Sequence, residues 1–333
     1  MTWKLACWSW VSLPILGLIP GAPVRLSALW LSLAASMVVL GLGLVAPRQT
    51  GQRPIFGALL LAALGLAVCQ WRQPTGAFLW AWQASVLLSA AGVLAVHGEV
   101  RWLQQGVLGC AWGQVGVLGL QALHIPLPWP FFSDGMVGTL GSIRPVSILV
   151  GLAALWATGW AAWVFSAVGC LTGSGTVVPI VLLRRWWPYR TSRARWMIGF
   201  GLVGASVALV PRWSLALTER WEAWTTWPMS WWGHGLRPFP GGFQDDTPFG
   251  WAMHWKDFHN VALDWVGRFG LPGFLVLLGM GWWVWRRKPD PWTLAFVLWV
   301  GCWQSLEQFP VLVIPFLVWL IELSEGGKNR CRF

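Results

Sequence analysis

The chain is 333 residues long, 56% hydrophobic and only 11% charged, with a mean hydropathy of +0.58. A soluble domain of this length needs far more charge to cover its surface, so the composition argues for one membrane domain over residues 1–333. The net charge of +11 does not indicate nucleic acid, because the basic residues sit mostly in short loops between apolar runs, as the positive-inside rule requires.

A membrane helix takes roughly 20 apolar residues. Runs that meet or approach that length fall near 5–20, 26–46, 55–70, 77–97 and 102–123, then near 146–168, 171–183, 196–211, 262–285, 292–307 and 310–323. The predicted fold class is all-α, a polytopic transmembrane helical bundle of about 11–12 helices with one long periplasmic loop. The first run carries Trp3, Trp8 and Trp10 and lacks a small-x-small cleavage site, so it reads as a first membrane helix and not a cleaved signal. Pro and Gly inside the runs are compatible with membrane helices, whose neighbours satisfy the freed backbone groups. The 32 tryptophans, in clusters such as Trp231 with Trp232 and Trp282 with Trp283, suit the bilayer interface. Of Cys7, Cys69, Cys110, Cys170, Cys302 and Cys331, five lie in apolar runs, and they read as small hydrophobes without disulfide or metal spacing.

Orientation follows from the basic loops. Arg184, Arg185, Arg190, Arg193 and Arg195 lie within 184–195 with no acid, 286–288 is Arg-Arg-Lys, and the C-terminus has Lys328, Arg330 and Arg332. All three stretches are expected on the cytoplasmic side. That places 212–260, with Glu219, Glu222, Asp245, Asp246 and Asp257, on the opposite face. Lys4, Arg48, Arg53 and Arg101 put the N-terminus inside and 124–141 outside, whereas counting back from the C-terminal half puts residue 172 outside as well. Residues 142–171 must then cross an even number of times, yet are too few for two full spans. A short hairpin bending near Thr158 and Gly159 resolves this; so does a misassigned early helix.

The segment 212–260 is the one long extramembrane stretch, and loops of such length in compact domains are commonly functional. It holds Arg220 and Trp224, then Pro228, then Gly233, Gly235, Arg237 and Phe239, and ends on His259 and Asn260 before a run containing Gly270 and Gly273. Taken singly these residues have plain readings: a surface turn for the glycines, an interfacial anchor for Arg220, a polar helix cap for His259. In order, Arg-x-x-x-Trp, Pro, Gly-x-Gly-x-x-x-Phe, His-Asn and Gly-x-x-Gly resemble the O-antigen ligase and polymerase superfamily over roughly 212–275. Upstream, Gly138 to Gly141 (Gly-Thr-Leu-Gly) and Thr172 to Gly175 (Thr-Gly-Ser-Gly) are weaker echoes of the same family. Two departures stand out: Gly175 replaces the arginine usual in the second element, and Ser142, Ile143 and Arg144 replace an asparagine-rich stretch.

The resemblance implies a glycosyltransferase of the cytoplasmic (inner) membrane that takes a glycan from a polyprenyl-pyrophosphate donor and passes it to lipid A-core, another glycan or protein. It would serve lipopolysaccharide or related cell-envelope biosynthesis. Catalytic roles fall to Arg220, which would stabilise the departing pyrophosphate through charge-assisted hydrogen bonds, and to His259, which would assist deprotonation of the acceptor hydroxyl or contact the phosphate. Arg212, Arg237, Gly233, Gly235 and Asn260 are the substrate-binding candidates, with either arginine a helper for the one missing at 175. The scattered histidines and few acids suit a metal-independent reaction with no cofactor. Two competing readings are a transporter or flippase without catalysis, for which Glu307 and Asp264 are the plausible acids at depth, and a degenerate assembly subunit of a glycan export system.

Overall fold

The computed structural model describes residues 2–16, 24–46, 76–97, 99–125, 138–140, 143–172, 180–181, 184, 231–233, 244–246, 252–254, 260–303 and 313–324. The described residues are predominantly helical: nine α-helices, one 3-10 turn and two three-residue strands. In chain order the helices are α1 (Thr2–Leu16), α2 (Val24–Val45), α3 (Gly76–His97) and α4 (Val100–Ala122), then, after the 3-10 turn Gly138–Leu140, α5 (Ile143–Trp156) and α6 (Gly159–Leu171). They continue with α7 (Val261–Arg286), α8 (Pro291–Trp303) and α9 (Val313–Ser324). These ranges track the apolar runs closely. The runs expected near 55–70 and 196–211, and most of 171–183, lie outside the described residues.

Among the described residues no helix is long and apolar enough to cross a membrane. The helices α2 and α3 each run 22 residues, but their side chains are described only from Trp30 and from Ser85 onward.

The chain divides into two compact units, one of residues 1–181 with 307–333 and one of residues 182–306. In the first, α1 packs on both α2 and α4, α3 packs on α2, and α9 packs on α3 and α4. Close approach of α1 to α4 depends on small residues: a methyl group at Gly106 would meet Val11 at 3.1 Å, and one at Gly113 would meet Leu16 at 2.9 Å. Trp10 is fully buried and donates its indole N–H to Ser36 Oγ at 2.9 Å, which satisfies the polar end of an otherwise apolar ring.

The run read as one segment near 146–168 is two helices. They form a hairpin that turns at Ala157 and Thr158, with Gly159 at φ +60 absorbing the reversal. At 14 and 13 residues, the arms rise only about 20 Å each, short of the roughly 30 Å of a bilayer core. Ile143 at the start of α5 and Leu171 at the end of α6 therefore lie at the same end of the hairpin.

In the second unit, Asn260 caps α7, its side-chain oxygen accepting from the Leu263 N–H at 3.0 Å, a bond of the kind worth about 1 kcal/mol. Asp290 caps α8 through the Thr293 N–H at 2.9 Å, and Pro291 occupies the first helical position, where its missing N–H costs nothing. The expected all-α character has one local exception. The loop 212–260 contains a small antiparallel hairpin, β1 (Gln244–Asp246) with β2 (Ala252–His254), in the register Gln244 to His254, Asp245 to Met253 and Asp246 to Ala252.

Candidate functional site

Helix α7 is not continuous. Gly270 adopts φ 59, ψ −143, far from helical values, and divides the helix into a half ending at Phe269 and a half beginning at Leu271. Pro272 follows within the first turn of the second half, where a helix tolerates it. A break of this kind frees backbone groups on both sides, and each must find another partner.

One partner is supplied by the long loop. The Leu271 N–H donates to the Trp231 carbonyl at 2.8 Å. Gly233, at φ +73, lies directly against the break. A methyl group on Gly233 would sit 2.2 Å from the Arg268 carbonyl oxygen and 2.6 Å from the Gly270 nitrogen; one on Gly270 would sit 2.2 Å from the Trp231 carbonyl oxygen and 2.5 Å from the Gly233 nitrogen. Both glycines thus combine a backbone conformation unfavourable to other residues with a contact that leaves no room for a side chain. Across the break, the Trp265 indole donates to the Gly273 carbonyl at 3.0 Å, bracing the two halves. Trp231 and Trp232 are both exposed.

Of the residues singled out from the sequence, Gly233 and Gly270 are brought together here. Gly273 receives the indole bond, and Asn260 opens the helix about 15 Å away along its axis, at 1.5 Å per residue. The catalytic candidates Arg220 and His259, and the binding candidates Arg212, Arg237 and Gly235, lie outside the described residues, as do Trp224, Pro228 and Phe239. Arg268, two residues before Gly270, is buried at 7% exposure.

Gly138 to Leu140 of the upstream Gly-Thr-Leu-Gly element form the 3-10 turn, held in the first unit by a polar node, and Gly141 lies outside the described residues. The Thr139 N–H donates to Gln114 Oε1 at 3.0 Å, and the Thr139 hydroxyl donates to the Ile15 carbonyl at 2.7 Å. The Gln114 amide donates to Thr139 Oγ1 and, at 3.4 Å, to the same carbonyl. Ile15 sits in the last turn of α1, where carbonyls lack helical partners, so Gln114 and Thr139 together cap that helix from outside. Both side chains are buried. Thr172, at the far end of the α5–α6 hairpin, is buried too and donates to the Gly169 carbonyl at 2.7 Å. Gly173 to Gly175 lie outside the described residues.

No protein-family model matches the chain, and no curated protein matches it at a significant level.

Proposed function

We propose that the chain is a polytopic membrane glycosyltransferase that moves a glycan from a polyprenyl-pyrophosphate carrier to an acceptor hydroxyl, in the manner of O-antigen ligases and polymerases. The observation that carries this reading is the backbone contact between Gly233 and the Gly270 break. These glycines come from separate parts of the motif order, and their pairing supports treating that order as one structural unit and not as scattered coincidences.

The membrane part of the reading is supported by surface chemistry. Along the second half of α7, Leu271, Leu275, Leu278, Trp282 and Trp285 recur at helical spacing and are all exposed, Leu278 at 54% and Trp285 at 71%. A continuous apolar stripe of that length fits contact with lipid and not with water. It ends in Arg286, Arg287 and Lys288. The Arg286 guanidinium lies 4.6 Å from the Trp282 ring centroid and that of Arg287 lies 5.4 Å from Trp283. Such an aromatic and basic collar suits the cytoplasmic membrane interface.

In the proposed reaction the acceptor hydroxyl attacks the sugar C1, and the bond from C1 to the pyrophosphate oxygen breaks. Arg220 stabilises the charge that develops on the leaving pyrophosphate. His259 takes the acceptor proton or holds the phosphate. Arg212, Arg237, Gly233, Gly235 and Asn260 line the donor, and the reaction uses no metal or cofactor. Deletion of the gene followed by glycan chain-length analysis tests this. Loss of all long chains identifies a ligase, and accumulation of single-repeat products identifies a polymerase. Unchanged glycans would reject transfer and leave the transporter or assembly-subunit readings.

A further inference from the structure

We propose that the basic end of α7 is a binding site for one anionic phospholipid of the cytoplasmic leaflet, with its phosphate on Arg286 and Lys288 and an acyl chain along the exposed apolar stripe that leads to them. The inference rests on the membrane reading above and is independent of the transfer reaction.

The stripe and the cations form one surface. Leu271, Leu275, Leu278 and Trp282 are exposed at helical spacing. Arg286, four residues beyond Trp282, continues the same face and is itself exposed. From Leu275 to Arg286 the helix rises about 16 Å, close to half of the roughly 30 Å hydrocarbon core. An occupant that covers this face therefore needs a hydrocarbon chain about as long as one leaflet is deep, with a negative charge at its end. A free phosphate ion would leave the stripe bare, and a lipid without net charge would match the cations poorly.

The cations are held in position by aromatic rings. The Arg286 guanidinium lies 4.6 Å from the Trp282 ring centroid, that of Arg287 lies 5.4 Å from Trp283, and that of Arg184 lies 5.9 Å from Trp292 in the first turn of α8. An indole face attracts a cation without offering it a carboxylate or carbonyl acceptor. Stacking thus restrains Arg286 and leaves its N–H donors for phosphate oxygens, which a guanidinium can hold two at a time. Lys288 is exposed and sits at φ 48, where the chain turns out of α7. The one carboxylate of this turn, Asp290, accepts from the Thr293 N–H at 2.9 Å and from its hydroxyl at 3.1 Å. Between Arg286 and Asp290 three cations therefore stand against a single acid that is already engaged in capping α8.

The rival assignment is diffuse positive charge that only orients the helix in the membrane. Native mass spectrometry of the full-length protein in detergent micelles, titrated with phosphatidylglycerol or with phosphatidylcholine of the same chains, separates the two. The parent should bind one phosphatidylglycerol about 10-fold more tightly than phosphatidylcholine. Arg286→Gln combined with Lys288→Gln should weaken phosphatidylglycerol about 25-fold, at about 5-fold for each cation, and leave phosphatidylcholine nearly unchanged. Trp282→Leu keeps every charge and the apolar face, so it should insert like the parent, yet lose about 2–5-fold through the missing stack. Glycerol phosphate in excess should not displace the lipid. Equal binding of both lipids by the parent would overturn the site, as would undiminished phosphatidylglycerol binding by either variant. Displacement by glycerol phosphate would mark a site for the free anion and overturn the lipid assignment. A parent that stays monodisperse in buffer without detergent would reject the membrane reading itself, an outcome distinct from failure of the lipid site alone.

Discussion

Replacing Gly270 by alanine attacks the contact on which the site is built. At φ 59, ψ −143 the backbone lies in territory that glycine alone visits readily, and a side chain there costs about 1–3 kcal/mol. The new methyl group would also lie 2.2 Å from the Trp231 carbonyl oxygen and 2.5 Å from the Gly233 nitrogen. Backbone cannot swing aside as a flexible side chain can, so residues 231–233 must move off the helix. That loses the 2.8 Å bond from Leu271 to Trp231, worth about 0.5–1.5 kcal/mol net. The expected loss is about 2–4 kcal/mol in all. Gly279→Ala is the matched control on the same helix: no atom lies within 4 Å of the added methyl group, and better helix propensity should stabilise by up to about 1 kcal/mol. Equilibrium unfolding of the purified variants in mixed detergent micelles reads both effects. Gly233→Ala combined with Gly270→Ala should cost less than the two separately, because each breaks the same contact. A Gly270→Ala variant as stable as Gly279→Ala would refute the reasoning.

Gln114→Ala should destabilise the first unit by about 2–4 kcal/mol, because it strips partners from the Thr139 N–H and weakens the cap on the α1 end; thermal unfolding checks this, with an unchanged midpoint counting against the polar node. Arg220→Lys should accumulate normally but lose much of the transfer activity, and Arg220→Ala should lose on the order of 10²–10³ in rate; a lysine variant as active as the parent at equal membrane abundance would mark an interfacial anchor instead. His259→Ala should insert normally and fail in transfer, and failure to accumulate would point to a structural role. Single cysteines at Thr247 and Ser192, in a background without the native cysteines, should be labelled and protected respectively by a membrane-impermeant thiol reagent in intact cells; the reverse pattern would put the loop in the wrong compartment.

The helix ranges were legible because long apolar runs leave few alternatives, and the boundaries of α2, α3, α4, α7 and α8 lie within a few residues of those runs. The hairpin at Ala157 and Thr158 was legible only through charge counting. No charged residue or proline marks Ala-Thr-Gly, so the run looks continuous, and only the need for an even number of crossings points to the bend. The strands β1 and β2 left no signal, since Gln-Asp-Asp has neither alternation nor β-branched residues. Gly233 and Gly270 were each visible as motif residues, but their contact joins distant parts of the chain and is invisible to spacing. Gln114 is hard to see from sequence because it is one of four glutamines in α4, and its partner, Thr139, is distant in the chain.

The central claim is that this chain breaks a sugar–pyrophosphate bond and makes a new glycosidic one. The most direct measurement uses the purified parent in proteoliposomes, with a radiolabelled glycan on polyprenyl pyrophosphate and either a lipid acceptor or a second carrier-linked repeat. The account expects label in a product of greater mass together with free polyprenyl pyrophosphate in equal amount, and expects both to vanish in Arg220→Ala. A properly inserted parent that leaves the carrier-linked glycan intact with every acceptor, or that moves it across the bilayer unchanged, would contradict it.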